Sequence, residues 1–361
     1  MDKITIRNKK IFKVNKYQQD SINKFIDTLK PESYKELSSC IVCNKRNFLQ
    51  ISDIDGQGIK RPTTLCRECG YFFINPQFTD QTHKNYYENF YRDIDRDFKT
   101  PSKDFYELEK YRGIDILNYI YSNKDLNKIN SCLDVGCGSG ATSFIFAKVF
   151  NEVIGIDLAK DYTKNVEKLD NLKIIHTTIQ DNTFDNKKFD FINYCHVFEH
   201  INDPIKELKR IKEILSPNGY LYIEVPGIHS IDHWYDGNFF HSLEMDHTHF
   251  FTLNTLKNLM QQQGFELVFG DEVVRSVWSI NTTSKKYSVS NESKNILGQI
   301  KKYDNFYRIQ YIKIKKNISK NFSKFTKYVL KKIGIFDLIK KLYLKKKNKK
   351  FHLINGKIIT K

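Results

Sequence analysis

The sequence predicts an α/β fold built around a mostly parallel sheet, flanked by a small cysteine-rich module and a basic tail. Three observations carry this. From residue 131 onward, short apolar runs alternate with amphipathic segments, the pattern that parallel strands and crossover helices leave in a sequence. Four of the seven cysteines fall into two CxxC pairs between residues 40 and 69. The formal charge of +17 over 361 residues is concentrated after residue 284, where about 23 lysines and arginines face about three acids. The first 284 residues are therefore close to neutral, and the basic character belongs to a tail.

Residues 1–38 are polar with scattered apolar positions, Ile22, Phe25, Ile26 and Leu29, enough for one short helix before Pro31. Residues 39–78 carry both cysteine pairs, with Gly56 and Gly58 between them and little helical periodicity. A small separate module of short strands and knuckle turns is expected there. Residues 79–130 are aromatic and acidic; Leu108, Tyr111, Ile114 or Asp115, and Asn118 or Tyr119 follow the spacing of a helix leading into the main domain. In residues 131–284 the runs SCLDVGC, EVIGIDL, FDFINYC and GYLYIEV read as strands. SFIFAKVF, the segment after Asp161, PIKELKRIKEIL and TLKNLMQQQ up to Gly264 read as helices, and FELVFG and RSVWSINT as two further strands. No stretch approaches the roughly 20 consecutive apolar residues of a bilayer-spanning helix, and the first residues lack the apolar core of a signal peptide, so a cytoplasmic location is expected.

Cys40 and Cys43 are separated from Cys66 and Cys69 by 22 residues. This spacing lets two knuckles bring four thiolates around one tetrahedral zinc, whose binding supplies folding energy that so short a segment lacks in its own core. With four thiolates no coordination position stays open, so the metal is expected to be structural. In a reducing compartment metal ligation takes precedence over disulfides. Cys132, Cys137 and Cys195 read as buried residues of the main domain.

The segment Leu133-Asp134-Val135-Gly136-Cys137-Gly138-Ser139-Gly140 ends a buried strand and opens a helix, so its glycines fall where the backbone must turn sharply and where a side chain would block a ligand. Asp157 closes the next strand, where a carboxylate can accept hydrogen bonds from both hydroxyls of a ribose. Gly136, Gly138 and Ala141 also satisfy the looser dinucleotide pattern, and Asp157 alone could be a helix cap, so the loop by itself leaves NAD open.

Further stretches separate these readings. The chain resembles class I S-adenosylmethionine-dependent methyltransferases in its DxGxGxG loop at Asp134, Gly136, Gly138 and Gly140 and in the acidic residue Asp157. It resembles them also at Val197-Phe198-Glu199-His200-Ile201-Asn202-Asp203-Pro204 after the fourth strand, and at Leu215-Ser216-Pro217-Asn218-Gly219-Tyr220 before the fifth. The resemblance covers roughly residues 110–284 and implies a Rossmann-like seven-stranded sheet with its last strand antiparallel, binding S-adenosylmethionine. It implies that Ile179 and Gln180 present backbone to adenine with Asp181 near its amino group, and that Cys195 and His196 line the methionine end. Thr178 stands where the family often has Asp. The run from Cys69 to Pro76 is similar to the four-cysteine zinc module that precedes many such methyltransferases, including enzymes acting on sugars.

A sulfonium donor carries its own leaving group, so the protein must mainly align acceptor and methyl and accept a proton if the acceptor is a hydroxyl. Histidine suits that role near neutral pH. His229, His233, His241, His247 and His249 crowd the segment after the fifth strand, beside His196 and His200. His196, His241 and His247 are the candidates for the acceptor side, although any single histidine is more often structural. Asp232, Asp236, Glu244 and Asp246 make a catalytic metal conceivable, but a plain base suffices and a metal-free reaction is expected. Trp234, Tyr235, Phe239 and Phe240 would stack on an acceptor or close the pocket against water.

Between residues 317 and 344, Ile318, Phe322, Phe325, Val329, Ile333, Phe336 and Tyr343 recur near a helical period, with lysines on the other faces. This basic helix suits an anionic membrane surface or packing and dimerisation, with nucleic acid the weaker alternative. Together these readings predict a cytoplasmic O-methyltransferase, peripheral to the membrane through its tail, acting on a carbohydrate or similar hydroxylated metabolite, with surface polysaccharide synthesis as the candidate setting. The competing readings are methylation at carbon or nitrogen, and a non-catalytic zinc-bearing adaptor that binds RNA or a protein.

Overall fold

The computed structural model describes residues 14–95, 102–123, 129–281 and 287–304, together with short strands at Asp2–Lys3, Phe351–Ile354 and Lys357–Thr360. The chain divides into two compact units, Met1–Asp304 and Asn305–Lys361. In the second unit, Phe351–Ile354 and Lys357–Thr360 pair as an antiparallel hairpin. The basic helix expected over residues 317–344 lies outside the described residues.

The first unit is organised by a seven-stranded sheet: β1 (Ser131–Val135), β2 (Glu152–Ile156), β3 (Leu172–Ile175), β4 (Phe189–Cys195), β5 (Leu215–Glu224), β6 (Phe265–Gly270) and β7 (Arg275–Ile280). The strands lie in the order β3-β2-β1-β4-β5-β7-β6. β1 to β5 run parallel, and β7 is antiparallel to both of its neighbours, as the resemblance implies. β1 and β4 are buried on both faces, which is why they read as almost unbroken apolar runs. The strand order reverses between them, and in open α/β sheets ligands bind outside the carboxyl ends of strands at such a point.

Two local expectations differ from what forms. The segment after Asp161 makes only the short 3₁₀ turn Lys160–Thr163 instead of a crossover helix. Beyond it Val166 and Leu169 are the only apolar residues before β3, too few to bury a helical face. β3 carries no clear strand signal because it is an edge strand, half-buried along most of its length, whose sequence lacks the full apolar run of the central strands.

The helix Lys103–Asn123 forms, but it buries Tyr106, Gly113, Ile116, Leu117 and Ile120, while Leu108 is 67% exposed. Gly113 sets this face. A Cβ there would stand 3.0 Å from Ile145 Cβ and 3.2 Å from Thr142 Cα, so the bare position lets the helix lie directly on Ala141–Ala147.

The cysteine-rich segment is joined to the main domain more closely than its composition suggests. Its strands Phe48–Ser52, Thr63–Cys66 and Phe72–Ile74 belong to a five-stranded sheet whose last member, His249–Phe250, comes from beyond β5. Cys40, Cys66, Cys69, Tyr71 and Phe73 share one apolar cluster with Leu133, Ile192, Phe251 and Trp278. On another face, Ile296, Ile300 and Tyr303 of the helix Ser293–Tyr303 pack with Leu49, Leu65, Phe72, Phe239 and Phe240. Strands this short cannot bury both faces by themselves. The first unit accordingly runs to Asp304, past residue 284, where the basic composition begins.

Candidate active site

A cleft of about 1020 Å³ opens at the carboxyl ends of β1, β2 and β4. The turn after β1 forms its floor. Gly136, Gly138 and Gly140 take φ values of 64°, 55° and 75°, the left-handed region that glycine enters without strain. A Cβ at Gly136 would collide with Val197, and one at Gly140 with Val166, each at 2.4 Å; at Gly138 the nearest atom would be the Tyr162 ring, 3.9 Å away. Packing inside the protein thus requires the first and third glycines, whereas Gly138 faces open space.

Asp157, which follows β2, accepts hydrogen bonds from the backbone N–H of Gly138 at 2.9 Å and of Ala159 at 2.8 Å. Arg92 approaches the same carboxylate at 3.4 Å, with its guanidinium 3.9 Å from the centre of the Tyr162 ring. The turn-cap and ribose readings of Asp157 are compatible, because each carboxylate oxygen keeps lone pairs beyond those used here. Asp134 turns inward: only 2% exposed, it accepts Ser143 Oγ at 2.5 Å and Asn193 Nδ2 at 2.7 Å. Burial pushes its pKa up to about 6 against the pull of those two bonds.

At the far edge, Ile179 and Gln180 line the cleft. The Gln180 amide donates to Glu207 at 3.0 Å, and Arg210 donates to the carbonyls of Ile179 and Asp181 at 2.8 and 3.1 Å. Both supporting residues stand on the helix Pro204–Ile214. Asp181 is not among the lining residues; its carboxylate accepts the Thr183 N–H at 2.8 Å and caps the next turn. Gly140 likewise lies behind the lining, as the N-cap of the helix Ala141–Ala147.

The opposite end is built by residues that follow β4 and β5. Cys195 and His196 line it, and His196 holds φ 54°, uncommon for any residue with a Cβ. Its Nδ1 faces Glu199 at 3.6 Å and its Nε2 faces Glu224 at 3.5 Å. Burial opposes protonation, but the two carboxylates outweigh it and push the His196 pKa up to about 9. An imidazole with a carboxylate at each nitrogen is a poor proton acceptor near neutrality. Burial would raise Glu199, yet His200, His196 and His247 together bring it down to about 2. His200 and His247 stand with ring centres 5.0 Å apart, and Asp246 faces His200 Nδ1 at 3.4 Å. Tyr87, Tyr91, Trp234 and Tyr235 add aromatic walls.

Of the histidines singled out in the sequence, His196 and His247 enter the cleft and His241 does not. His241 sits in the short helix Phe239–Ser242, which is anchored by burying Phe239 and Phe240 against Phe72, so these two rings belong to the core and not to the acceptor wall. His249 bridges the Tyr71 hydroxyl at 2.7 Å and the Ile201 carbonyl at 2.9 Å, and burial pushes its pKa down to about 3. The amino-acid sequence alone points to no individual role for Arg92, Glu199, Glu207, Arg210 or Glu224. Glu199 and Glu224 had a signal, each being an acid at or just after the end of a central strand; Arg92 had none.

The four cysteines gather in one place. Cys40 Sγ lies 3.6 Å from Cys69 Sγ, and Cys43 Sγ 3.5 Å from Cys66 Sγ, with all four sulfurs within 4.8 Å of one another. Zinc–sulfur bonds of about 2.3 Å set the corners of a tetrahedron about 3.8 Å apart, so the donor set fits zinc. Asn44 and Gly70, each one residue past a CxxC pair, take φ values of 57° and 83°, as the knuckle turns require.

Residues 105–268 match the family described as "Methyltransferase domain". This part of the chain is a methyltransferase domain. An uncharacterized methyltransferase of Schizosaccharomyces pombe is 31% identical over 115 residues, 28% of this chain and 41% of that protein. The ubiquinone biosynthesis O-methyltransferases of Haemophilus ducreyi and Pelagibacter ubique are 29% identical over 128 residues and 35% identical over 109. These alignments take in 31% and 28% of this chain, and 54% and 44% of the two relatives. The chain thus spans about half the length of the curated relatives it matches. Among solved structures, that of the plantazolicin methyltransferase BpumL in complex with SAH is 18% identical, with 61% of this chain and 89% of that chain covered at a TM-score of 0.40. The matched segment supplies most of the cleft's lining and residues 80–92 the rest, while the cysteine cluster lies outside it.

Proposed function

We propose that this chain transfers the methyl group of S-adenosylmethionine to a hydroxyl of a carbohydrate or related hydroxylated metabolite, with one structural zinc held by Cys40, Cys43, Cys66 and Cys69. The observation that carries the reading is the pairing, in one cleft, of a bare backbone at Gly138 beside Asp157 with a wall of histidines and carboxylates at the other end. Gly136, Gly138 and Asp157 would hold the ribose and the chain beyond it, Ile179 and Gln180 the base, and Cys195 the methionine end. Bound there, the cofactor supplies an electrophilic methyl on a good leaving group. The chain's own residues then have two tasks: to orient the acceptor oxygen in line with that methyl, and to take its proton. The second falls to the group around His247, with the carboxylates of Glu244 and Asp246 as its proton acceptors, since both His196 nitrogens face glutamates. A basic tail supports placement at an anionic membrane surface, where a lipid-carried acceptor would be found.

The test is methyl transfer from isotope-labelled S-adenosylmethionine to glycans extracted from cells lacking the gene. An O-methyl ether, heavier than its precursor by one CH2, is expected by mass spectrometry. Label on nitrogen or carbon, or none incorporated, would overturn the reading.

A further inference from the structure

Five ionisable side chains converge on one wall at the acceptor end. Ligand atoms of Glu199, His200 and His247 lie within 4.8 Å of one another, and Glu244, Asp246 and His247 form a second such group sharing His247. Glu199 is 1% exposed, and neither of its oxygens has a hydrogen-bond partner. The nearest imidazole nitrogens, Nδ1 of His196 and Nε2 of His200, stand at 3.6 and 3.8 Å, too far for hydrogen bonds. The His196 imidazolium offsets part of its charge, but a buried carboxylate that accepts no hydrogen bond leaves its lone pairs unmet. These separations suit ligands around one ion: octahedral bonds of about 2.1 Å set adjacent ligand atoms about 3.0 Å apart and opposite ones about 4.2 Å.

The surroundings hold these groups ready. His200 Nδ1 lies 3.1 Å from the Asp246 carbonyl, which can only accept, so Nε2, on the Glu199 side, is the nitrogen placed to meet a cation. The Thr248 N–H donates to the Glu199 carbonyl at 2.9 Å, and His249 ties Ile201 to Tyr71. The segment after β4 and the 244–249 segment are thereby fixed to each other through the cysteine-bearing sheet.

We propose that Glu199, His200 and His247, with the carboxylates of Glu244 and Asp246 beside them, bind one divalent cation of the manganese or zinc class. Three protein ligands leave positions open, so the matching acceptor carries two adjacent oxygens, a vicinal diol, one of which the cation draws toward ionisation while Glu244 or Asp246 accepts the proton. The inference rests on reading this end of the cleft as the acceptor site.

The test is a manganese titration of the zinc-loaded full chain followed by electron paramagnetic resonance, because the hard Mn2+ ion avoids the thiolates. One Mn2+ per chain is expected, with affinity lowered at least tenfold by Glu199→Gln and by His247→Ala and unchanged by His241→Ala. His247→Gln replaces any cleft variant whose circular dichroism shows it unfolded. Titration calorimetry with S-adenosylmethionine on the same proteins should show cofactor affinity retained, so loss of the cation site is distinguishable from failure of the cofactor reading. No bound Mn2+ in the wild type, or equal binding in the cleft variants, overturns the proposal.

Discussion

A methyl group at Gly140 would stand 2.4 Å from Val166, whereas one at Gly138 would meet no protein atom closer than 3.9 Å, although both residues hold positive φ. The backbone strain of an alanine is similar at the two sites, so their difference isolates what each glycine is for. Gly140→Ala should lose about 1–3 kcal/mol more stability in denaturant melts than Gly138→Ala, from overpacking alone. Gly138→Ala should instead keep most of its stability and lose at least tenfold in S-adenosylmethionine affinity. The reverse order would mean that the open space over Gly138 is not where the ligand lies. The glycine loop and Asp157 were legible because their chemistry is local, a sharp turn beside an acid at a strand end. Whether a side chain reaches the cleft was not, since that depends on neighbours far along the chain. His241 is carried away by the burial of Phe239 and Phe240.

At the scale of elements, one five-stranded sheet joins the strand that ends at Cys66 to His249–Phe250, two residues beyond His247 of the cleft. Zinc removal by a strong chelator should release one equivalent per chain and lower the unfolding midpoint of the whole first unit in a single transition. A separate, earlier transition for residues 39–78 would contradict the shared core. Between the two cysteine pairs, Asp55 is fully buried and accepts the N–H groups of Gln57 and Ile59 at 3.0 and 2.9 Å. Burial pushes its pKa up to about 7, against the opposing pull of Arg61 and these amides. The folded state therefore holds this proton more tightly than the unfolded chain does. Its contribution to stability is greatest on the acid side and falls as pH rises from about 4 toward 7. Asp55→Asn removes that titration, so the stability lost between about pH 5 and pH 8 should shrink by roughly 2–3 kcal/mol relative to wild type. An unchanged slope in pH-dependent melts would place that titration elsewhere. Strands buried on both faces were legible as apolar runs. The edge strand Leu172–Ile175 and the register of Lys103–Asn123 were not, because the first lacks a full apolar run and the second is set by Gly113 against another helix.

Over the whole molecule, charge and chemistry separate along the chain. The cleft and the cysteine cluster lie in the unit ending at Asp304, while most of the basic excess follows it. No helix among the described residues is long and apolar enough to cross a membrane. A chain ending at residue 304 should bind S-adenosylmethionine as tightly as the full chain. Sedimentation with anionic vesicles should retain the full chain and release the shortened one, and equal behaviour of the two would remove the tail from any membrane role. Composition alone revealed the basic tail, but it could not mark where folding stops, because Ile296, Ile300 and Tyr303 bury a helical face beyond the point where lysines begin to dominate. Calorimetric titration of S-adenosylmethionine into the wild type and Asp157→Ala tests the central claim most directly. One binding site per chain, weakened about a hundredfold or more by removal of that carboxylate, is the predicted result; no binding to the wild type, or equal binding by both proteins, would contradict it.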